Sequence, residues 1–139
     1  VVVVLRIAVV GADGRYLSPE DEDRARRFIE GFLMLFLMNG VDVELVSGGC
    51  PLGGIDKIAE EVADRLGIPK TVFRPEGKGW RYYRERNLRI AEYCDVLLVV
   101  EPSWRRHSGG LWTGRMAYKL GKKVYEARLR GNSVELREW

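Results

Sequence analysis

The chain alternates β-branched apolar runs with helical patterns five times over, and glycines mark many of the turns between them. This alternation restricts the fold more than any other feature, because strands apolar along their whole length must be covered by helices on both faces. "VVVVLRIAVV" (1–10) ends at Gly11 and reads as such a strand, as do "VDVELVS" (41–47) and "DVLLVVE" (95–101). A short strand is expected near 71–74 and a fifth at "KVYEA" (123–127), while "SVELREW" (133–139) suits a sixth at the edge. Ser18 and Pro19 have the order of an N-cap and first helical residue, with acids following, and the helix they start runs to Asn39 before Gly40. Ile55, Ile58, Ala59, Val62, Ala63 and Leu66 form one apolar stripe closed by Gly67. A helix over about 81–93 places Tyr83, Asn87, Ile90, Ala91 and Cys94 on one face, and a last helix over about 110–120 stops at Gly121. The expectation is a single α/β domain over 1–139. It is a three-layer Rossmann-like fold with a mostly parallel sheet of five or six strands and helices on both faces.

Ligands of such sheets bind beyond the carboxyl ends of the strands. Three glycine-bearing loops fall there: "GADGRYLS" (11–18), "SGGCPLGGID" (47–56) and "SGGLWTGR" (108–115). Free N–H groups at a helix start, with the helix dipole, make an anion site, and glycine lets the backbone come close to a ligand. The candidate phosphate-binding residues are therefore Gly11, Asp13, Gly14 and Arg15 on the first loop and Ser47, Gly48, Gly49, Gly53, Gly54 and Asp56 on the second. Ser108, Gly109, Gly110 and Thr113 belong to the third. Hydroxyls of Ser47, Ser108 and Thr113 would add donors, and Arg15 and Arg86 would neutralise phosphate. One such loop alone would be a tight turn; two Ser-Gly-Gly loops on one sheet edge, with Arg15 on a third, favour a phosphate cradle. "GADGRY" lacks the third glycine of the dinucleotide fingerprint, and no Gly-Lys-Ser/Thr occurs, so neither a nicotinamide cofactor nor a Walker loop is expected.

Of 23 basic residues 17 are Arg, which suits an anionic partner, although the net charge is only +3. A single histidine, His107, excludes a His-rich metal site, and no metal is expected. Cys50 and Cys94 have no metal-type spacing and are expected to be reduced thiols of a cytoplasmic protein. The opening lacks the basic flank and cleavage pattern of a signal peptide. The longest apolar stretch, "FIEGFLMLFLM" (28–38), is too short to span a membrane. It is either buried in the monomer or half of a homodimer interface through residues 28–38.

Taken together, four segments in order over residues 5–126 resemble the SLOG superfamily of Rossmann-like proteins. That group includes the "lonely guy" phosphoribohydrolases, once mislabelled lysine decarboxylases, the DNA-processing protein A (Smf-like) family and YspA-like nucleotide-ligand sensors. "GRYLS" (14–18) is similar to an early family motif bearing Gly, Arg and Ser. "SGGCPLGGID" resembles the phosphoribohydrolase glycine motif from Gly48 to Asp56, and, with two extra residues, the Ser-Gly-x-Ala-Arg-Gly-x-Asp of the other branches at Ser47, Gly48, Gly54 and Asp56. "RNLRIAEYCDVLLVVE" (86–101), which brings in Asn87, resembles the Arg-Asn-Arg-x-Ile-Ala stretch of the DNA-processing family, and "SGGLWT" (108–113) its Ser-Gly-x-Leu-x-Thr. The resemblance implies a nucleotide or nucleotide derivative held by its phosphate. It also implies two alternatives, an N-glycosidase of the phosphoribohydrolase kind and a single-stranded DNA binder. In the phosphoribohydrolases the last motif ends on a Glu that works with an Arg. Arg86 holds the Arg position here, but Met116 holds that of the Glu and cannot act as acid or base. Glu101 is the substitute acid to consider beside Arg86; Trp112 replaces a small family residue, and "EPSWRRHS" (101–108) is an insertion. Trp80, Trp104 and Trp112 are the candidates for contact with a base.

Overall fold

The computed structural model describes residues 3–139. Its elements run β1 (Val4–Gly11), α1 (Pro19–Met38), β2 (Asp42–Ser47), α2 (Ile55–Leu66), β3 (Lys70–Val72), α3 (Trp80–Tyr93), β4 (Val96–Pro102), α4 (Gly109–Lys119), β5 (Lys123–Arg130) and β6 (Ser133–Glu138). The six strands form one sheet in the order β3-β2-β1-β4-β5-β6. The first five are parallel and β6 returns antiparallel to β5. The expected α/β three-layer arrangement is present, and the first two residues of the N-terminal run lie outside the described ones.

Strand alternation divides the core between the two faces. Ile7 and Val9 of β1, Val43 and Leu45 of β2, and Val96, Leu98 and Val100 of β4 pack against α1 and α2. Ala8, Val10, Val46, Leu97 and Val99 point the other way, onto α3 and α4. β4 is buried from end to end, as its unbroken apolar run requires. α1 opens with a full capping box, Ser18 Oγ accepting the Asp21 N–H while Asp21 accepts the Ser18 N–H, and Pro19 follows the cap. Of the apolar run 28–38, Ile29, Phe32 and Leu33 enter the core and Phe28, Phe36 and Leu37 pack against it, leaving Leu35 and Met38 exposed. Among the described residues no helix is long and apolar enough to cross a membrane.

Two boundaries differ from the sequence pattern. β5 continues to Arg130, beyond "KVYEA", because β6 pairs with it in register from Arg130↔Ser133 to Tyr125↔Glu138. Arg128, a charged residue in this extension, pairs with Glu126, and Glu126 also accepts from Arg137 Nη2 at 3.1 Å and Trp139 Nε1 at 2.8 Å. β3 is only three residues long and stops before Arg74, whose guanidinium instead reaches back to the Gly49 carbonyl at 3.2 Å.

Candidate functional site

β1 and β4 are neighbours, yet β1 leads through α1 to β2 on one side and β4 leads through α4 to β5 on the other. At this switch point the loops diverge and leave a crevice above the strand ends. The loops there pack so closely that glycine is obligatory at several positions. A Cβ on Gly11 would stand 1.9 Å from the Val100 carbonyl oxygen, and one on Gly54, where φ is +82°, would stand 2.4 Å from that of Ala12. The Ile55 N–H donates to the Ala12 carbonyl at 2.9 Å and the Gly14 N–H to that of Leu52 at 3.2 Å, tying the first loop to the second.

The crevice is a cleft of about 230 Å³. Among the expected site residues Gly11, Asp13, Arg15, Gly48, Asp56, Arg86, Asn87, Gly109, Gly110 and Thr113 line it. Gly14, Gly53 and Gly54 lie outside it, around a separate hollow against α1 and α2. Ser47, Gly49, Ser108 and Glu101 do not line it.

Two neighbouring residues of α3 join the two Ser-Gly-Gly loops. Arg86 donates through Nη1 to the Gly48 carbonyl and through Nε to Asn87 Oδ1, the latter at 2.7 Å. That second bond fixes the Asn87 amide so that its NH2 faces away, toward Gly109, where a Cβ would stand 3.4 Å from Nδ2. Asn87 is 93 % buried (7 % exposed) and lines the cleft, yet among the described residues nothing accepts from Nδ2. Beside it lie the first two N–H groups of α4, those of Gly109 and Gly110, which also have no protein acceptor among the described residues. Three donors thus converge on one end of the cleft, with the positive end of a helix behind them and Arg86 alongside.

The hydroxyls expected to donate to a ligand are committed elsewhere. Ser47 donates to Glu60 Oε2 at 2.7 Å, Thr113 to the Gly109 carbonyl at 2.7 Å and Ser108 to Glu101 Oε2 at 2.6 Å. Ser108 also caps α4 by accepting the Leu111 N–H at 3.0 Å. Glu101 is fully buried beneath that cap, pairs with Arg105 at 3.4 Å and lies opposite Arg128 on β5. Burial pushes its carboxyl up, while Ser108, Arg105 and Arg128 hold it down, and the net displacement is upward. Its place is under the helix, so it supports the donor end of the cleft from behind. Met116 packs against the core between α3 and α4.

Two carboxylates, Asp56 and Asp13, also line the cleft. Asp56, 8 % exposed at the start of α2, accepts the Cys50 N–H at Oδ2 at 3.1 Å. Burial raises its pKa to about 6, against the pull of Arg86 and the Cys50 N–H. Asp13 differs: burial raises its carboxyl too, but hydrogen bonds from Arg15 outweigh it and hold it below the ordinary value. Arg15 is bound to Asp13 through Nε at 3.0 Å and Nη2 at 2.9 Å, so its charge is already matched. Burial also pushes the Cys50 thiol up, and both cysteines are free.

Of the three candidate tryptophans Trp80 lines the cleft, half exposed, with Trp112 edge-on behind it at 5.4 Å between ring centroids. Trp104 packs instead near Tyr16, at 6.3 Å. Sequence reasoning missed Arg105, which lines the cleft with its guanidinium 3.8 Å from the centre of the Tyr16 ring while bridging to Glu101. It lies in the segment 101–108, where the one hint was a basic pair following a strand-end acid. Cys50 and Tyr83 also line the cleft and carried no motif of their own. Comparisons with protein-family models and with curated proteins find no match to this chain.

Proposed function

We propose that the chain is a nucleotide-binding protein of the SLOG kind, holding a nucleotide or nucleotide derivative by its phosphate at the donor end of the cleft. The observation that carries this reading is Asn87, buried but with a free NH2 beside the free N–H groups of Gly109 and Gly110. Three donors without a protein acceptor at one helix start are satisfied together by one oxyanion. Arg86 supplies a charge. For the phosphoribohydrolase-like alternative, the acids that reach the cleft are Asp13 and Asp56 rather than Glu101.

A second reading, single-stranded nucleic acid, has its own support in an asymmetry of charge. In α1 the arginines Arg24, Arg26 and Arg27 all pair with carboxylates. In α3 none of Arg81, Arg84, Arg86 and Arg89 does so among the described residues; each lies over an aromatic ring instead. Unpaired arginines beside aromatics are a surface on which a strand can stack.

Calorimetric titration with AMP, ADP-ribose, cyclic dinucleotides and an oligothymidylate tests both. The nucleotide reading expects saturable binding of at least one small ligand that Asn87→Leu weakens by about tenfold or more, with thermal unfolding still cooperative. No binding by any small ligand to the folded protein overturns it. The strand reading instead expects oligonucleotide affinity that falls steeply with salt.

A further inference from the structure

We infer that Asp56 reads the sugar of the bound nucleotide, its Oδ1 accepting a ribose hydroxyl; this rests on the phosphate reading of the same cleft. Asp56 is more than nine-tenths buried and lines the cleft, and its Oδ2 is occupied by the Cys50 N–H at 3.1 Å. Among the described residues no donor reaches Oδ1. Among the described residues no side-chain oxygen or nitrogen sealed from solvent is left without a partner, so Oδ1 keeps access to solvent in a residue that lines the cleft. An ionised carboxylate only accepts, which means that whatever meets Oδ1 must bring a proton to share.

The surroundings narrow the donor. Asp56 Oδ2 and Arg86 Nη1 flank Gly48, at 3.0 and 2.7 Å from where its Cβ would stand, so a cation is already in place beside the carboxylate. A ligand ammonium would duplicate that charge, and a phosphate would meet like charge. A neutral hydroxyl meets neither objection. Beyond Arg86 come Asn87, Gly109 and Gly110, the donors assigned to phosphate, and Trp80 stands beside Gly109, its ring 3.8 Å from that Cβ position. The cleft therefore runs from donors to an acceptor, with Arg86 between them. A nucleotide has the matching order, an anionic phosphate and then the 2′- and 3′-hydroxyls of its sugar. Oδ1 is the carboxylate oxygen without a protein donor, and one of the two hydroxyls meets it.

The test compares AMP, 2′-deoxy-AMP and 3′-deoxy-AMP by calorimetry on the wild-type chain at pH 7.5. A hydrogen bond to a buried charge predicts that one deoxy analogue binds about 10- to 100-fold more weakly than AMP, and the other about equally well. Asp56→Asn should bring AMP down to the level of the disfavoured analogue and leave the analogue's own affinity near its wild-type value. Equal affinity for all three on the wild-type chain overturns the role of Asp56 while leaving the phosphate site standing, and it does so even where Asp56→Asn fails to fold. Discrimination that survives in Asp56→Asn overturns it as well. Failure of all three ligands to bind overturns the phosphate reading and this inference with it.

Discussion

The two Ser-Gly-Gly loops share a tripeptide and a position at the strand ends, and the structure gives them opposite work. In the loop after β2 the serine turns inward to Glu60, and the glycines are there because neighbouring groups leave no room. Gly48 faces Arg86, Gly49 (φ +60°) faces Arg74, and Gly54 is pressed against the first loop. In the loop after β4 the serine caps a helix, and the glycines offer N–H groups to the cleft. One loop is a wall and the other a donor edge. Identical short motifs thus say where a chain turns, and their neighbours decide what the turn does.

Alanine substitution at one glycine of each loop separates these roles with the largest expected effect. At Gly54 an alanine must adopt φ +82° and place Cβ 2.4 Å from a carbonyl oxygen. Strain and overlap together cost roughly 3 kcal/mol or more, a large share of a small domain's stability. At Gly109 the new Cβ meets nothing closer than 3.4 Å and stands in a helical first turn. Gly109→Ala should unfold within about 0.5 kcal/mol of wild type yet bind AMP more weakly, because its methyl group crowds the donor edge. Urea denaturation and titration of the pair check this; comparable stabilities for both variants would erase the distinction between wall and edge.

How much of this was legible without coordinates follows the same division. The layers were readable because "DVLLVVE" and the stripe from Ile55 to Leu66 have no other way to bury their apolar surface. Ten of the expected site residues do line one cleft, since glycine and polar residues at strand ends can be placed by topology alone. What sequence could not give was direction. Ser47, Ser108 and Thr113 have hydroxyls at the right positions, but each donates to an internal acceptor that arrives from elsewhere in the fold. Glu101 ends a buried strand at the right edge, but the fold surrounds its carboxylate with Ser108 and Arg105 beneath α4. Asn87 shows the reverse. Its value as a donor depends on Arg86 Nε holding its carbonyl oxygen, a relation between adjacent residues that no spacing rule encodes.

A second, intermediate effect tests the buried acids associated with the two loops, Asp56 with the first and Glu101 with the second. Glu101 has Ser108 and two arginines about it, whereas Asp56 has one backbone N–H and the field of Arg86. Burial dominates at Asp56 and places its pKa near 6, above the value of about 3.9 in an unfolded chain. Between roughly pH 4 and 6 the folded protein therefore holds a proton that the unfolded chain has lost, and stability falls as pH rises through that window. Asp56→Asn removes the cost, so it should stabilise the protein at pH 7 by on the order of 2–3 kcal/mol and by little at pH 4. Denaturation midpoints of both proteins from pH 4 to 8 measure it, and a difference that does not grow with pH contradicts the assignment.

The smallest effect is the most direct comparison, because it changes the same residue type in both loops. Ser108→Ala removes the cap of α4 and one donor to Glu101, which together should cost about 2 kcal/mol. Ser47→Ala loses its bond to Glu60, a half-buried carboxylate that water can reach, and a long contact of 3.3 Å from the Gly49 N–H. Its cost should be about 1 kcal/mol or less. The ligand distinguishes the two more sharply than stability does. Without its cap the first turn of α4 frays, and the Gly109 and Gly110 N–H groups no longer hold one direction. AMP affinity should then drop several-fold in Ser108→Ala and stay unchanged in Ser47→Ala, even though neither hydroxyl touches the ligand. A drop in the Ser47 variant alone would mean that the wall, and not the edge, grips the phosphate.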